Sequence, residues 1–397
     1  MLLSQLSFVW SRGLQEIDPA DWQRLAGMHP MLDYQFLLAF EATACVGAQT
    51  GWMPYHLTAF DQGLLVAAMP CYLKTHSYGE YVFDWSWAEA YEQAGGQYYP
   101  KLISAIPFSP VTGPRLLIDP ACDVPEAIAE AMLKQLQAFC QEHALSGAHL
   151  LFPDAMSADF CEQQGWLRRE GVQFRWENAG YADWDAFMAV LSRDKRKKIR
   201  QERQKVAQQG VTCRVVSGHD MTAQDLALFY QCYCQTYLRH HSSPYLTLAF
   251  FEHLQRYLPG HLQLFIASQH GEDVAASLCV LGEATLYGRY WGSLRDISCL
   301  HFELCYYQPQ QFCIREQIRY FEGGAQGEHK LARGFVAYPT CSYHWLSHPD
   351  FHQSVARFLR REAEGMQQYV NELEERSPYK NMPDINDTGL PHIPLST

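Results

Sequence analysis

The sequence predicts a mixed α/β fold, with helices and strands layered together in two domains of similar construction. Three observations carry this. The chain has 397 residues, and at about 100–200 residues per domain it divides into two or three. Residues 59–73 align without gaps to residues 267–281, with identity at Ala59/Ala267, Gly63/Gly271, Val66/Val274, Ala67/Ala275, Ala68/Ala276, Cys71/Cys279 and Leu73/Leu281. The constant offset of 208 residues points to a duplicated domain of about that size. Segments with helical periodicity surround both copies.

Each copy of the repeat reads as strand, polar turn with glycine, strand, which is a β-hairpin. Residues 125–143 place Ile128, Met132, Leu133, Leu136 and Phe139 at spacings of three and four behind a proline, the pattern of an amphipathic helix. Asp183 caps a helix that turns Trp184, Phe187 and Leu191 inward. That helix is expected to run on to Val206 and to end at Gln209-Gly210. A helix over 302–318 leads into a short strand over 318–322, and 351–373 forms a last amphipathic helix. The prolines at 378, 383, 391 and 394 make the tail irregular. The expected domains are 1–170 and 171–376, with a tail over 377–397.

Composition excludes several classes. Apolar residues make up 48% and charged residues 19%, which is globular. No apolar run approaches the roughly 18–20 residues of a membrane span, and the first residues lack a signal-peptide pattern. The thirteen cysteines form no regular framework, so they read as reduced, mostly buried thiols of a cytoplasmic protein. Net charge is −12, yet residues 193–205 hold eight basic and two acidic side chains, leaving −18 on the remainder. A general DNA binder would spread its positive charge over a face. Here the charge is concentrated in one segment, which suits a phosphate-bearing substrate held at one place.

Four motifs carry candidate chemistry. On a helix, Arg193, Lys197 and Arg200 fall on one stripe and Arg196, Arg200 and Arg203 on the next, spacings able to hold phosphates; a solvated face is the alternative. In Tyr287-Gly288-Arg289-Tyr290-Trp291-Gly292, alternation puts Tyr287, Arg289 and Trp291 on one face, and the glycines permit close approach of a ligand. His301 and Glu303 open a helix, where they could move a proton or serve as an ordinary cap. The stretch 321–335 brings glycines together with Glu328, His329, Lys330 and Arg333, a composition suited to wrapping backbone around an anion. His-x-Glu lacks the following Pro-Cys-x-x-Cys of zinc deaminases. Cys232 and Cys234 have no partners at zinc-finger spacing, and no metal is expected. Nucleophile-elbow, P-loop, dinucleotide and His-Glu-x-x-His patterns are absent.

Taken together, Leu191-Ser192-Arg193 with the basic helix, His241-Ser242-Ser243-Pro244-Tyr245-Leu246, the Tyr287–Gly292 stretch, Leu300-His301-Phe302-Glu303 and Gly323-Gly324-Ala325-Gln326-Gly327-Glu328-His329-Lys330 resemble the FemAB-like family of bacterial N-acyltransferases, labelled peptidoglycan biosynthesis or recognition, within the GNAT superfamily. The resemblance covers nearly the whole chain. It implies two tandem GNAT-like domains and acyl or aminoacyl transfer to an amine, with a cell-wall precursor or other phosphate-bearing molecule as substrate. The Lys330 loop resembles the Phe-Lys segment that Fem ligases place near substrate, with His329 in place of phenylalanine. Fem ligases with a tRNA-binding arm carry an inserted helical hairpin, which this sequence lacks, and that argues against tRNA use. Arg289-Tyr290-Trp291-Gly292-Ser293-Leu294 matches the acetyl-CoA pyrophosphate motif of GNAT enzymes only in part.

On this basis Glu303, His301 and His329 are candidates for the base, and amides near 288–292 for the oxyanion site. Arg193, Lys197, Arg200, Lys330 and Arg333 are expected to bind phosphate, with Tyr245, Arg289, Trp291 and Gln326 contributing to substrate binding. No cofactor is firmly implied; acyl-CoA or aminoacyl-tRNA would act as co-substrate, and peripheral membrane contact is compatible with the reading. The competing readings are an acetyl-CoA-dependent acetyltransferase and a non-catalytic protein of the same fold that binds cell-wall fragments or a partner. Alanine at Lys330 or Arg200 is expected to leave stability nearly intact.

Overall fold

The computed structural model describes residues 6–324 and 327–380. Among them the strands run in chain order as β1 (Leu6–Ser11), β2 (Trp52–Pro54), β3 (His56–Asp61), β4 (Leu64–Met69), β5 (Cys71–Lys74), β6 (Lys101–Ser104), β7 (Leu117–Ile118), β8 (Gly147–Leu151), β9 (Leu167–Glu177), β10 (Val211–Ser217), β11 (Leu262–Gln269), β12 (Glu272–Leu281), β13 (Thr285–Ser293), β14 (Tyr320–Glu322) and β15 (Val336–Leu346). A four-stranded sheet has the order β1-β3-β4-β7. An eleven-stranded sheet has the order β10-β11-β12-β13-β14-β9-β15-β8-β6-β5-β2.

The repeated segments are the hairpins β3–β4 and β11–β12. They turn at Gln62-Gly63 and His270-Gly271, both pairs at positive φ, as a tight hairpin turn requires. Their registers slip at equivalent places, between Ala59 and Phe60 in the first and between Ala267 and Ser268 in the second. A shared bulge is a stronger mark of duplication than shared alanines. The copies then diverge. Pro70 breaks the first copy, sending β4 into the small sheet and β5 into the large one, whereas Leu278 at the matching position keeps β12 continuous.

The expected boundary at 170/171 falls inside β9, and β15 pairs with both β9 and β8. The large sheet therefore runs unbroken through both halves. The helices Pro125–Glu142 and Pro349–Glu375 form close to where periodicity puts them. All thirteen cysteines are free and none is exposed. No helix among the described residues is long and apolar enough to cross a membrane.

One expectation fails locally. The helix begun after Asp183 ends at Val190, and a new one spans Arg193–Gln208. Leu191 is extended and fully buried, and it bridges to Tyr379 while Ser192 N–H donates to Pro378 O (2.9 Å). Tyr379 in turn donates its hydroxyl to Gly334 O (2.6 Å). The start of the tail thus clips the break and ties it to the 327–334 turn. Burial of Leu191 and these tertiary bonds outweigh continuity of the helix.

Candidate functional site at the β13–β14 split

Strands β13 and β14 are parallel and pair over only three residues each, Thr285–Tyr287 with Tyr320–Glu322. Beyond Tyr287, β13 continues along β12 to Ser293, while β14 leaves at Gly323-Gly324. The sheet therefore splits open in the second module. The first module holds the matching parallel pair, β6 with β8, but its own chain closes the gap. A bridge joins Gly113 to Pro153. The fully buried Arg115 guanidinium donates to Leu151 O (2.8 Å), Gly113 O (3.0 Å) and Val111 O (2.7 Å).

On one side of the split lie the basic helix and the 327–334 turn. Lys195, Lys198, Glu328, His329, Leu331 and Ala332 line one shared depression between them. Arg193, Lys197 and Arg200 sit on the exposed face of the helix, so the basic side chains aimed at the turn are Lys195 and Lys198. Arg333 is 1% exposed. Its Nε and Nη2 meet Glu202 at 3.2 and 2.7 Å, Nη1 donates to His329 O, and its plane lies 3.4 Å from the Phe302 ring centroid. With its donors already engaged, it braces the turn from within. Lys330, 2% exposed, donates to Gly324 O (2.8 Å), and burial lowers its ammonium pKa to about 8. The expectation of unaffected stability therefore suits exposed Arg200 and not Lys330. Gln326 lies outside the described residues.

The three candidate bases gather on this same side. Glu303 begins a π-helical segment, Glu303–Tyr307, inside the helical run from Leu300 to Arg315; such segments recur at functional sites. Its carboxylate is held by Arg203 at 2.9 and 3.1 Å and by Gln308 at 2.7 Å. His301 packs against Trp291 (4.9 Å between centroids) and Tyr306 (5.2 Å). Burial, with His329, Lys330 and Arg333 nearby, lowers its pKa to about 4. His329 Nε2 shares a hydrogen bond with the Tyr306 hydroxyl (2.9 Å), and burial and Arg333 lower its pKa as well. Both imidazoles are neutral at neutral pH.

The other side faces the first module. Tyr287, Glu322, Arg175 and Val336 are successive cross-strand partners, so one face of the sheet carries all four. Gln173 donates to Pro110 O (2.7 Å), and Arg289 Nη2 to Phe108 O (2.9 Å). Tyr245 stacks on Phe108 at 4.8 Å, and His29 lies 5.9 Å from Tyr287. The expected alternation along β13 breaks here. Leu278 pairs with Tyr290 but Cys279 with Gly288, so Arg289 is an inserted residue. Such a bulge re-aims the side chains that follow it, and Trp291 packs on the core opposite to that of Tyr287 and Tyr290. The glycines serve packing. A Cβ on Gly292 would meet Cys232 O at 1.8 Å, and one on Gly288 would meet Glu322 O at 3.2 Å. The Arg289–Ser293 stretch is strand rather than a phosphate-binding turn at a helix start.

Glu322 occupies the last paired position of β14, at the mouth of the split. Its carboxylate has no hydrogen-bond or ion-pair partner among the described residues. Burial raises its pKa to about 7, against the pull of Arg175 and Arg289. Glu322 stands at the head of the glycine stretch, outside the candidate bases named from the sequence. Its strand position was legible there, but its burial was not.

A family model described as peptidoglycan biosynthesis/recognition, FemAB-like, matches residues 13–381. The chain belongs to the FemAB-like family. No match was found among curated proteins. Among solved structures, this FemAB-like chain is similar to FemX, with TM-score 0.51, 10% identity, and 88% of this chain and 100% of that one covered. It is also similar to the C-terminal domain of a protein assigned as a lysylphosphatidylglycerol synthetase from Agrobacterium fabrum, with TM-score 0.51, 11% identity and coverage of 89% and 97%. A tandem GNAT protein of the clavulanic acid biosynthesis pathway aligns with TM-score 0.46, 10% identity and coverage of 87% and 99%. The fold is the Fem-type arrangement, as in FemX.

Proposed function

We propose that this FemAB-like protein is an N-acyltransferase whose donor and acceptor meet through the β13–β14 split, with Glu322 as the base. The observation that carries the reading is Glu322 itself: a half-buried carboxylate without a partner among the described residues, with a pKa near 7, at the edge of the opening. A base works best when its pKa lies near the working pH. Glu303 is less suited because Arg203 already neutralises it. His301, with a pKa near 4, is too weak a base to compete.

In the reaction, Glu322 takes a proton from the acceptor ammonium, and the freed nitrogen lone pair attacks the donor carbonyl carbon. The new C–N bond forms as the ester C–O or thioester C–S bond breaks, and the leaving oxygen or sulfur takes up a proton. Lys195 and Lys198 hold donor phosphate. Arg193, Lys197 and Arg200 extend the positive field outward for a polyanionic donor. Trp291, His301, Tyr306 and His329 wall the donor side, and Tyr245 and Arg289 the acceptor side. Aminoacyl-tRNA and acyl-CoA both fit this charge pattern. The test is mass spectrometry of products after incubation with each donor and a panel of amines, for the wild type and Glu322→Gln. An acyl product that Glu322→Gln fails to make supports the reading. Ligand binding with no acyl product from either donor rejects it in favour of a non-catalytic binding protein.

A further inference from the structure

The sheet face turned toward the first module carries two arginines with unused donors. Arg289 is the inserted residue of the β12–β13 bulge; Nη2 donates to Phe108 O, while Nε is buried with no partner among the described residues. Buried donors in native proteins are almost always satisfied, so such an orphan asks for an acceptor that the described residues do not supply. Arg175 lies directly across from Glu322 on the neighbouring strand, yet forms no ion pair with it. Its guanidinium is sandwiched between the rings of Tyr320 and Tyr338, at 4.2 and 4.0 Å. Stacking of this kind occupies the faces of the guanidinium and leaves its in-plane N–H groups at the edge. It makes no hydrogen bond among the described residues. His29, Tyr287 and Tyr338, which also face this place, are uncharged at neutral pH.

We propose that Arg175 and Arg289 form a carboxylate subsite, and that the acceptor is an amine bearing a carboxylate a few ångströms from its nitrogen, as in an amino acid or a short peptide. The inference rests on the reading of Glu322 as the base, because it places the amine at Glu322 and the carboxylate at the arginines. Glu322 and Arg175 are directly opposed on neighbouring strands, so one small molecule can meet both side chains. The acceptor is a zwitterion, so its carboxylate meets the two guanidinium groups while its ammonium meets Glu322, and each ligand charge faces an opposite one.

The experiment titrates the full chain with alanyl-alanine, alanyl-alanine amide and inorganic phosphate, followed by NMR shifts and thermal shift. The dipeptide is expected to bind saturably, and its amide about tenfold or more weakly. Arg175→Gln and Arg289→Gln should each lose about the same factor, with circular dichroism unchanged. Equal binding of acid and amide, no saturable binding of the dipeptide, or tighter binding of phosphate overturns the proposal. The acid–amide comparison needs no variant, so it decides even where Arg175→Gln folds poorly. Carboxylate binding without any acyl product would reject the transferase and leave the subsite standing.

Discussion

Replacing Glu322 with glutamine separates a catalytic carboxylate from a structural one, because the two roles predict opposite effects on stability. Its pKa is raised from an ordinary 4.5 to about 7, chiefly by burial and despite Arg175 and Arg289. The folded state therefore binds the proton more tightly than the unfolded chain does, and stability falls as pH rises between those two values. At about 1.4 kcal/mol for each pH unit, and with the side chain partly open to solvent, the ionised form costs about 2–3 kcal/mol. Glutamine mimics the protonated acid. Glu322→Gln should thus match the wild type below pH 4.5 and exceed it by about 2–3 kcal/mol at pH 8. Urea unfolding across pH 4–8 measures the difference. Acyl transfer should drop about 10²–10⁴-fold, and the wild-type rate should rise with pH through about 7. A variant that keeps full activity, or one that is destabilised equally at every pH, refutes the assignment.

The remaining predictions test the other parts of the site. Lys195→Glu with Lys198→Glu should weaken binding of a phosphate-bearing donor about tenfold or more, while the same change at Lys197 and Arg200 has a smaller, salt-sensitive effect; isothermal titration at two salt concentrations distinguishes them. Arg333→Ala strands Glu202 in a buried setting and should cost about 3–5 kcal/mol, read by chemical denaturation, whereas Arg200→Ala should leave stability within about 0.5 kcal/mol. Gly292→Ala drives a Cβ into Cys232 O and should destabilise by about 4 kcal/mol or more, seen as loss of soluble protein or a collapsed melting temperature.

Local pattern was enough for much of the fold. Three-and-four spacing gave helices over 125–143 and 351–373, close to those observed, and the matched segments at 59–73 and 267–281 gave the repeated hairpin, because periodicity and a hairpin turn are properties of neighbouring residues. The family motifs pointed to the second module and to the 321–335 stretch. Several roles depended on neighbours far away in sequence. Whether Arg333 binds phosphate or braces a turn is decided by Glu202, 131 residues earlier. The stripe of the basic helix that faces the site follows from where Leu191, Ile199 and Val206 are buried, and charge spacing alone cannot say which stripe that is.

The sequence by itself determined the resemblance to the FemAB-like family, the repeated hairpin and the concentration of positive charge. Tertiary structure alone decided that the first opening is plugged by Arg115, that a bulge turns Arg289 toward the first module, and that Glu322 stands at the split unpaired among the described residues. The physical reason is that burial and hydrogen-bond satisfaction depend on the packing of strands and loops far apart in the chain, and these two quantities set the charge state and availability of a side chain.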